Sequence, residues 1–329
     1  MQSHPPLRKM PRTAHSLRLG LCCQFLDAPI KFRTATHAYV SKLGADARRA
    51  YLSAIVRDNA EALHRAIEEC ARLGIGAFRV NSQFAPLATH PVSGYALADL
   101  DGGEAIVARL REAAALAHAR DVRLSFHPDQ FVVLNSERAP VVEASLRELN
   151  VMARLAALIG ADVLTLHGGG AAGGRPEALL RLERALDRLE DAARTRIALE
   201  NDDRTWAPAE LLPLCERVGV PFVYDVHHHR CLADGMTVEE ATARAAATWG
   251  GREPWLHLSS PREGWGARDA RPHHDYIDPA DVPDAWLGVR ATVDIEAKAK
   301  ERAVVKLMED LAARAPAPAK GPRARRGTK

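Results

Sequence analysis

Short apolar runs alternate with long amphipathic stretches along this chain. The runs Leu17–Gln24, Ala77–Asn81, Arg123–His127, Val163–His167, Ile197–Glu200, Phe222–Asp225, Trp255–Leu258 and Thr292–Glu296 read as strands. Between them, Arg49–Leu73, Gly103–Arg120, Ala139–Gly160, Pro176–Arg194, Pro208–Gly219 and Val238–Trp249 carry apolar residues near 3.6-residue spacing and read as helices. Strands alternating with helices in this way build βα units on a parallel sheet. Eight strands predict an α/β fold, a single (β/α)8 TIM barrel over residues 17–313. A doubly wound sheet would place a glycine-rich phosphate loop after its first strand, and Cys22-Cys23-Gln24-Phe25 offers none.

Composition adds the ends and the surroundings. With 47% hydrophobic and 26% charged residues in 329, the chain has ample material for a core. Residues 1–16 and 314–329 are rich in Pro and basic residues, and are expected to be disordered basic segments. The formal charge of +3 conceals an asymmetry. Residues 1–20 and 314–329 hold ten of the 45 basic residues and no acid, leaving 35 basic against 42 acidic residues, or −7, between them. An acidic body with basic ends suits a partner bearing phosphates, or a body whose carboxylates hold cations. Five scattered cysteines without CxxC spacing argue against a disulfide framework and a zinc ribbon. No apolar run approaches a membrane span and no leader pattern is visible, so a cytoplasmic protein without a membrane partner is expected.

In such a barrel the chemistry gathers at the C-terminal ends of the strands. Six strands end in a metal-type ligand: His127, His167, Glu200, Asp225, His257 and Glu296. The loops that follow add His227, His228 and His229, then His273, His274 and Asp275, and His90 follows the second strand. A single histidine of this kind is ordinarily a hydrogen-bonded strand end. Several carboxylates and imidazoles converging on one mouth instead call for cations, and the mixed donor set suits zinc or manganese. Eight or nine such ligands suffice for two or three ions, able to hydrolyse a phosphodiester; sugar isomerisation is the competing use.

These strand ends sit in the motifs His127-Pro128-Asp129-Gln130-Phe131-Val132, His167-Gly168-Gly169-Gly170-Ala171, Leu199-Glu200-Asn201-Asp202-Asp203, Asp225-Val226-His227-His228-His229-Arg230, His257-Leu258-Ser259-Ser260 and Glu296-Ala297-Lys298. In that order they resemble the UV DNA damage endonuclease family, TIM-barrel repair nucleases with a metal site similar to the endonuclease IV type. The resemblance spans residues 17–308. It implies nicking of UV-damaged double-stranded DNA immediately 5′ to the photoproduct, leaving a 3′-hydroxyl, by metal-hydroxide attack on the phosphodiester. It also implies three divalent ions, manganese first, with zinc or magnesium as alternatives.

By the resemblance, His127, His167 and Glu200 hold the first ion, and Glu200, Asp225, His257 and Glu296 the second. His228 and His273 hold the third. His90 is a ligand or a phosphate contact, and Lys298 pairs a phosphate or a ligand carboxylate; with Glu200 these two make the catalytic set. Gln130-Phe131 matches a pair that wedges into the duplex, Phe retaining the stacking face. Two departures stand out. Trp255 takes the place of a lysine, sometimes carboxylated, so no carbamate ligand is available there. Cys22-Cys23-Gln24-Phe25 replaces a DNA-contacting segment, leaving Gln24 as the nearest substitute.

Several other residues complete the expectation. Arg33, Arg79, Arg230, Arg262 and Lys298 are phosphate contacts expected on loops over the mouth. Asn201 and Asp202 are expected to orient Glu200, and Gly168–Gly170 to allow close backbone approach to phosphate or metal, or simply to form a tight turn. Cys22 and Cys23 read as packing residues. A monomer is expected. The rival readings are a xylose isomerase-like sugar isomerase or epimerase, with fewer metals and an enclosed polyol pocket, and a barrel that binds damaged DNA without cutting it.

Overall fold

Eight strands, β1 (Arg18–Cys22), β2 (Ala77–Val80), β3 (Arg123–Phe126), β4 (Val163–His167), β5 (Ile197–Glu200), β6 (Phe222–Asp225), β7 (Trp255–Leu258) and β8 (Thr292–Ile295), pair in parallel and in sequence order, and β8 returns to β1. The result is a closed (β/α)8 barrel, as the alternation predicts. The structure, a computed structural model, describes residues 17–314. The two basic terminal segments therefore lie outside the described residues, apart from Arg314, which closes the last helix and lies 3.5 Å from Asp284.

The helices are α1 (His37–Val40), α2 (Ala45–Leu73), α3 (Gly103–Arg120), α4 (Ala139–Ile159), α5 (Arg175–Leu186), α6 (Asp191–Arg194), α7 (Pro208–Val218), α8 (Val226–Cys231), α9 (Val238–Ala247) and α10 (Glu301–Arg314). Prolines open α4 and α7 where no backbone donor is needed, and α2, α4 and α7 each stop at a glycine in the left-handed region, Gly74, Gly160 and Gly219. The helix expected over Pro176–Arg194 is two helices. Their periodicity runs on through the buried Leu186 and Leu189, but Asn150 of α4 accepts the Glu190 N–H at 3.1 Å and Arg154 pairs with Glu190 at 2.6 Å, which pulls the chain out of helical register. The histidines after β6, expected on a loop, lie on α8, because Asp225 caps that helix by accepting the His228 N–H at 2.7 Å. Helix α10 closes the ring: its buried Glu301 accepts the backbone N–H groups of Leu26 and Asp27.

Alternate strand residues fill the barrel. Ala77, Val163, Ala198, Val223 and Trp255, with Trp249, form an apolar cluster separate from the larger core between strands and helices. Trp255 is fully buried, with the Arg123 guanidinium 4.6 Å from its ring centre. The N-terminal end of the barrel is a polar clamp. Glu253 accepts from Arg18 Nε at 2.9 Å, Thr292 Oγ1 at 2.8 Å and Arg290 Nε at 3.0 Å. Arg18, which the charge pattern groups with the basic N-terminal segment, is thus a buried barrel residue that also meets Asp121 at 3.0 Å.

Candidate metal centre

The six strand-end ligands converge as their register requires, since His167 pairs with Glu200 and Asp225 with His257 across neighbouring strands. Glu200, fully buried, stands at the centre. Its Oε2 lies 2.9 Å from His127 Nε2 and 3.7 Å from His167 Nε2, and its Oε1 lies 2.7 Å from His257 Nδ1. Among the described residues two groups present donor atoms close enough to share an ion: His127, His167 and Glu200, and Glu200, Asp225, His257 and Glu296. One carboxylate therefore belongs to both.

The donor chemistry fits divalent cations. Asp225 is fully buried and its Oδ2 has no hydrogen-bond partner, an arrangement that is costly without a cation. Oxygen and imidazole donors in one cluster suit manganese or zinc. Burial raises the Glu200 carboxyl, but His257 and His167 outweigh it and hold it well below the usual carboxylate range. Burial works the same way on Glu296, where Arg79 and His257 prevail and it too stays ionised. His228 loses basicity by burial but gains more from Asp225 and Glu200, and is pushed up to about 9. Cations bound here would replace protons on such imidazoles.

The remaining expected residues are placed as follows. His228 and His273 flank the same carboxylates, His228 Nδ1 at 3.6 Å from both Glu200 and Asp225, and His273 Nδ1 at 3.7 Å from Glu296. Their rings are 6.5 Å apart, and they form no third group of donors among the described residues. His90 lies outside both groups, stacked on His37 at 4.1 Å, with its Nδ1 accepting the Val92 and Ser93 N–H groups. Gln130 and Phe131 are exposed beside a cleft of about 400 Å³ that also reaches Arg79, His127 and His167. Lys298 is exposed on a second cleft of about 320 Å³, with His273, Glu296 and Arg271. Gln24 is exposed at the end of the first strand, and Arg230 donates to the Asp281 carbonyl at 2.9 Å.

Several expectations change. Arg79 is no loop residue: it is on β2, buried, with Nε 3.0 Å from Asp294, Nη1 2.7 Å from Glu296 and Nη2 3.0 Å from His257 Nε2. Its guanidinium supports the ligands from below. Asn201 orients the end of β6 rather than Glu200, exchanging two hydrogen bonds with the Asp225 backbone, at 2.8 and 3.0 Å. Asp202 caps the turn 204–206 through its backbone N–H groups. The glycines after β4 serve packing: a Cβ at Gly168 would come within 2.6 Å of Trp206, and Gly169 takes a φ of +77° against Asn135. Cys22 is buried and Cys23 half-buried, and neither joins a donor group among the described residues.

Asp294 is a site residue that the sequence pattern left unremarked, and His227, counted among the loop histidines, belongs to neither donor group. Asp294 is buried, 3.7 Å from His257 Nε2, and Gly20 leaves it room, since a Cβ there would come within 2.4 Å of its Oδ1. The period-2 alternation that points Glu296 inward also points Asp294 inward, so a signal existed. His227 is buried with its ring 5.2 Å from that of His273.

A closed parallel barrel with two donor groups sharing one buried carboxylate at its C-terminal mouth defines a barrel enzyme able to hold divalent metal ions. Residues 17–319 match the UV-endonuclease UvdE family. A UV DNA damage endonuclease of Deinococcus radiodurans is 37% identical over 307 residues, covering 88% of this chain and 94% of the relative. One from Bacillus velezensis is 32% identical over 302 residues, covering 88% and 91%. The crystal structure of SacUVDE superposes with a TM-score of 0.80 at 25% identity, covering 90% and 98%. The chain belongs to the UvdE family of DNA repair endonucleases.

Proposed function

We propose that this protein nicks UV-damaged duplex DNA 5′ to the photoproduct, using divalent ions held at the barrel mouth, manganese first and up to three in number. The observation that carries the reading is Glu200, a buried carboxylate common to two donor groups. Ions bound there would lower the pKa of a water and neutralise charge on the scissile phosphate. The chain's own residues then have distinct tasks. His127, His167, Asp225, His257 and Glu296 fix the donor atoms, and Arg79 and Asp294 keep the second group in place from within the barrel. His228 and His273 complete the set beside Asp225 and Glu296.

His90 accepts backbone N–H groups at Nδ1, so its neutral ring carries the proton on Nε2, where it can donate to a phosphate oxygen. Lys298 offers a second phosphate contact, and Gln24 and Arg230 line the approach. Phe131 wedges into the duplex with Gln130, a role its 79% exposure supports. Residues 17–313 act as one unit flanked by basic segments. The five free cysteines accord with a reducing compartment, and the protein acts as a cytoplasmic monomer. Family membership favours this reading over a sugar isomerase. Incision of a defined UV-lesion duplex is the test, read at nucleotide resolution beside undamaged duplex and an EDTA control. A manganese-dependent cut just 5′ to the lesion is expected. Binding without any cut would favour a non-cleaving barrel, and neither binding nor cutting would remove the reading.

A further inference from the structure

The chain has five tryptophans. Four are buried, Trp206, Trp249, Trp255 and Trp286 being no more than 2% exposed, whereas Trp265 is 40% exposed. It lies in the connection after β7, on the same end of the barrel as the donor groups. Its ring is anchored, not loose. Nε1 donates to Asp281 Oδ1 at 2.7 Å, and Asp281 is itself held by Ser260 Oγ and carries Arg230 on its carbonyl. The Arg230 guanidinium is 5.6 Å from the ring centre, and the His227 ring, which adjoins His273, is 5.2 Å away.

Exposed apolar side chains concentrate on this end of the molecule. Of the large exposed hydrophobic residues described, Leu26, Tyr39, Val92, Phe131 and Trp265 all lie in connections that follow strands on the catalytic face, Tyr39 on the short helix α1, and Leu180 sits on α5. Phe131 follows β3 and Trp265 follows β7, strands that lie opposite each other in the eight-stranded ring. The metal-ligand cluster is between them.

We propose that Trp265 is a second stacking platform for the substrate duplex, taking the face of a nucleotide across the mouth from Phe131. The inference rests on the nuclease reading above. An aromatic ring held in one orientation by its Nε1 bond loses little freedom when a base or deoxyribose covers it, so the contact goes into affinity. Two aromatic contacts on opposite sides of the cluster would hold the duplex across the ions.

Because the other tryptophans are buried, acrylamide quenching of the full-length protein's tryptophan fluorescence reports on Trp265. Quenching is measured with and without unlabelled UV-lesion duplex, in EDTA and with manganese, while anisotropy of a fluorescein-labelled duplex records binding independently. The expected result is rising anisotropy together with reduced acrylamide access. Rising anisotropy with unchanged access would overturn the platform and leave DNA binding intact; no anisotropy change in either buffer would remove both. Trp265→Ala is expected to weaken duplex binding about 5- to 150-fold, with Trp265→Phe retaining most of the affinity and manganese content unchanged in both. Equal binding by wild type and Trp265→Ala would also refute the contact.

Discussion

Glu253→Gln tests whether the two ends of the barrel do separate work. Glu253 precedes β7 at the end away from the metal ligands, its side chain 11% exposed, and it meets Arg18, Thr292 and Arg290 at 2.8–3.0 Å. Burial raises its carboxyl, but the Thr292 hydrogen bond and the Arg18 and Arg123 charges outweigh that and bring it from 4.5 down to about 2. A depressed folded pKa contributes stability that is fully present above the unfolded value and is lost as pH falls through the folded one. At about 1.36 kcal/mol per pH unit, the contribution is about 3 kcal/mol at neutral pH. The glutamine has no charge to lose, so the gap between wild type and variant should shrink by about 2 kcal/mol between pH 7 and pH 3. Urea unfolding of EDTA-treated protein across that range measures the gap. Incision and metal content of the folded variant should match wild type, because the clamp sits at the stabilising end of the barrel. A gap that does not change with pH would show that packing, not charge, is what Glu253 supplies; no gap at pH 7 would refute the reasoning.

Three further substitutions probe the mouth. Glu200→Gln removes the carboxylate common to both donor groups and leaves His127 and His167 as a pair; dialysis against manganese followed by elemental analysis should show at least one ion lost per chain, along with incision, and full manganese content would refute the shared site. Asp294→Asn should weaken manganese binding about 10- to 100-fold in calorimetry, because Asp294 holds Arg79 Nε at 3.0 Å and Arg79 in turn braces Glu296 and His257. Phe131→Ala should cost about 1–3 kcal/mol of damaged-duplex binding while manganese content is retained; a parallel loss of metal would assign Phe131 to the fold.

Alternation of apolar runs and amphipathic stretches sufficed to place all eight strands, because a barrel strand buried on both faces is a short apolar run ending in whatever the mouth requires. Hence His127, His167, Glu200, Asp225, His257 and Glu296 were legible as a set: each is the polar end of an apolar run, and a closed parallel barrel delivers all such ends to one rim. The α8 helix was also written locally, in an Asp that caps three residues ahead, though loop composition disguised it.

Other features depend on groups that meet only when the ring closes. Arg79 meets Asp294 from 215 positions away, and nothing near Arg79 in sequence distinguishes it from a surface arginine. Arg18 likewise looks like part of a basic tail until Glu253 and Asp121 surround it. The break between α5 and α6 comes from Asn150 and Arg154 on a neighbouring helix, and Gly168 is shaped by Trp206 rather than by a ligand. Exposure, too, is a tertiary property: five tryptophans are alike in the sequence, and packing alone buries four and leaves Trp265 at the mouth. The strand-end chemistry is local and periodic, so the sequence carries it; the neighbours that charge, brace or uncover it are assembled by barrel closure, and only the folded structure decides them.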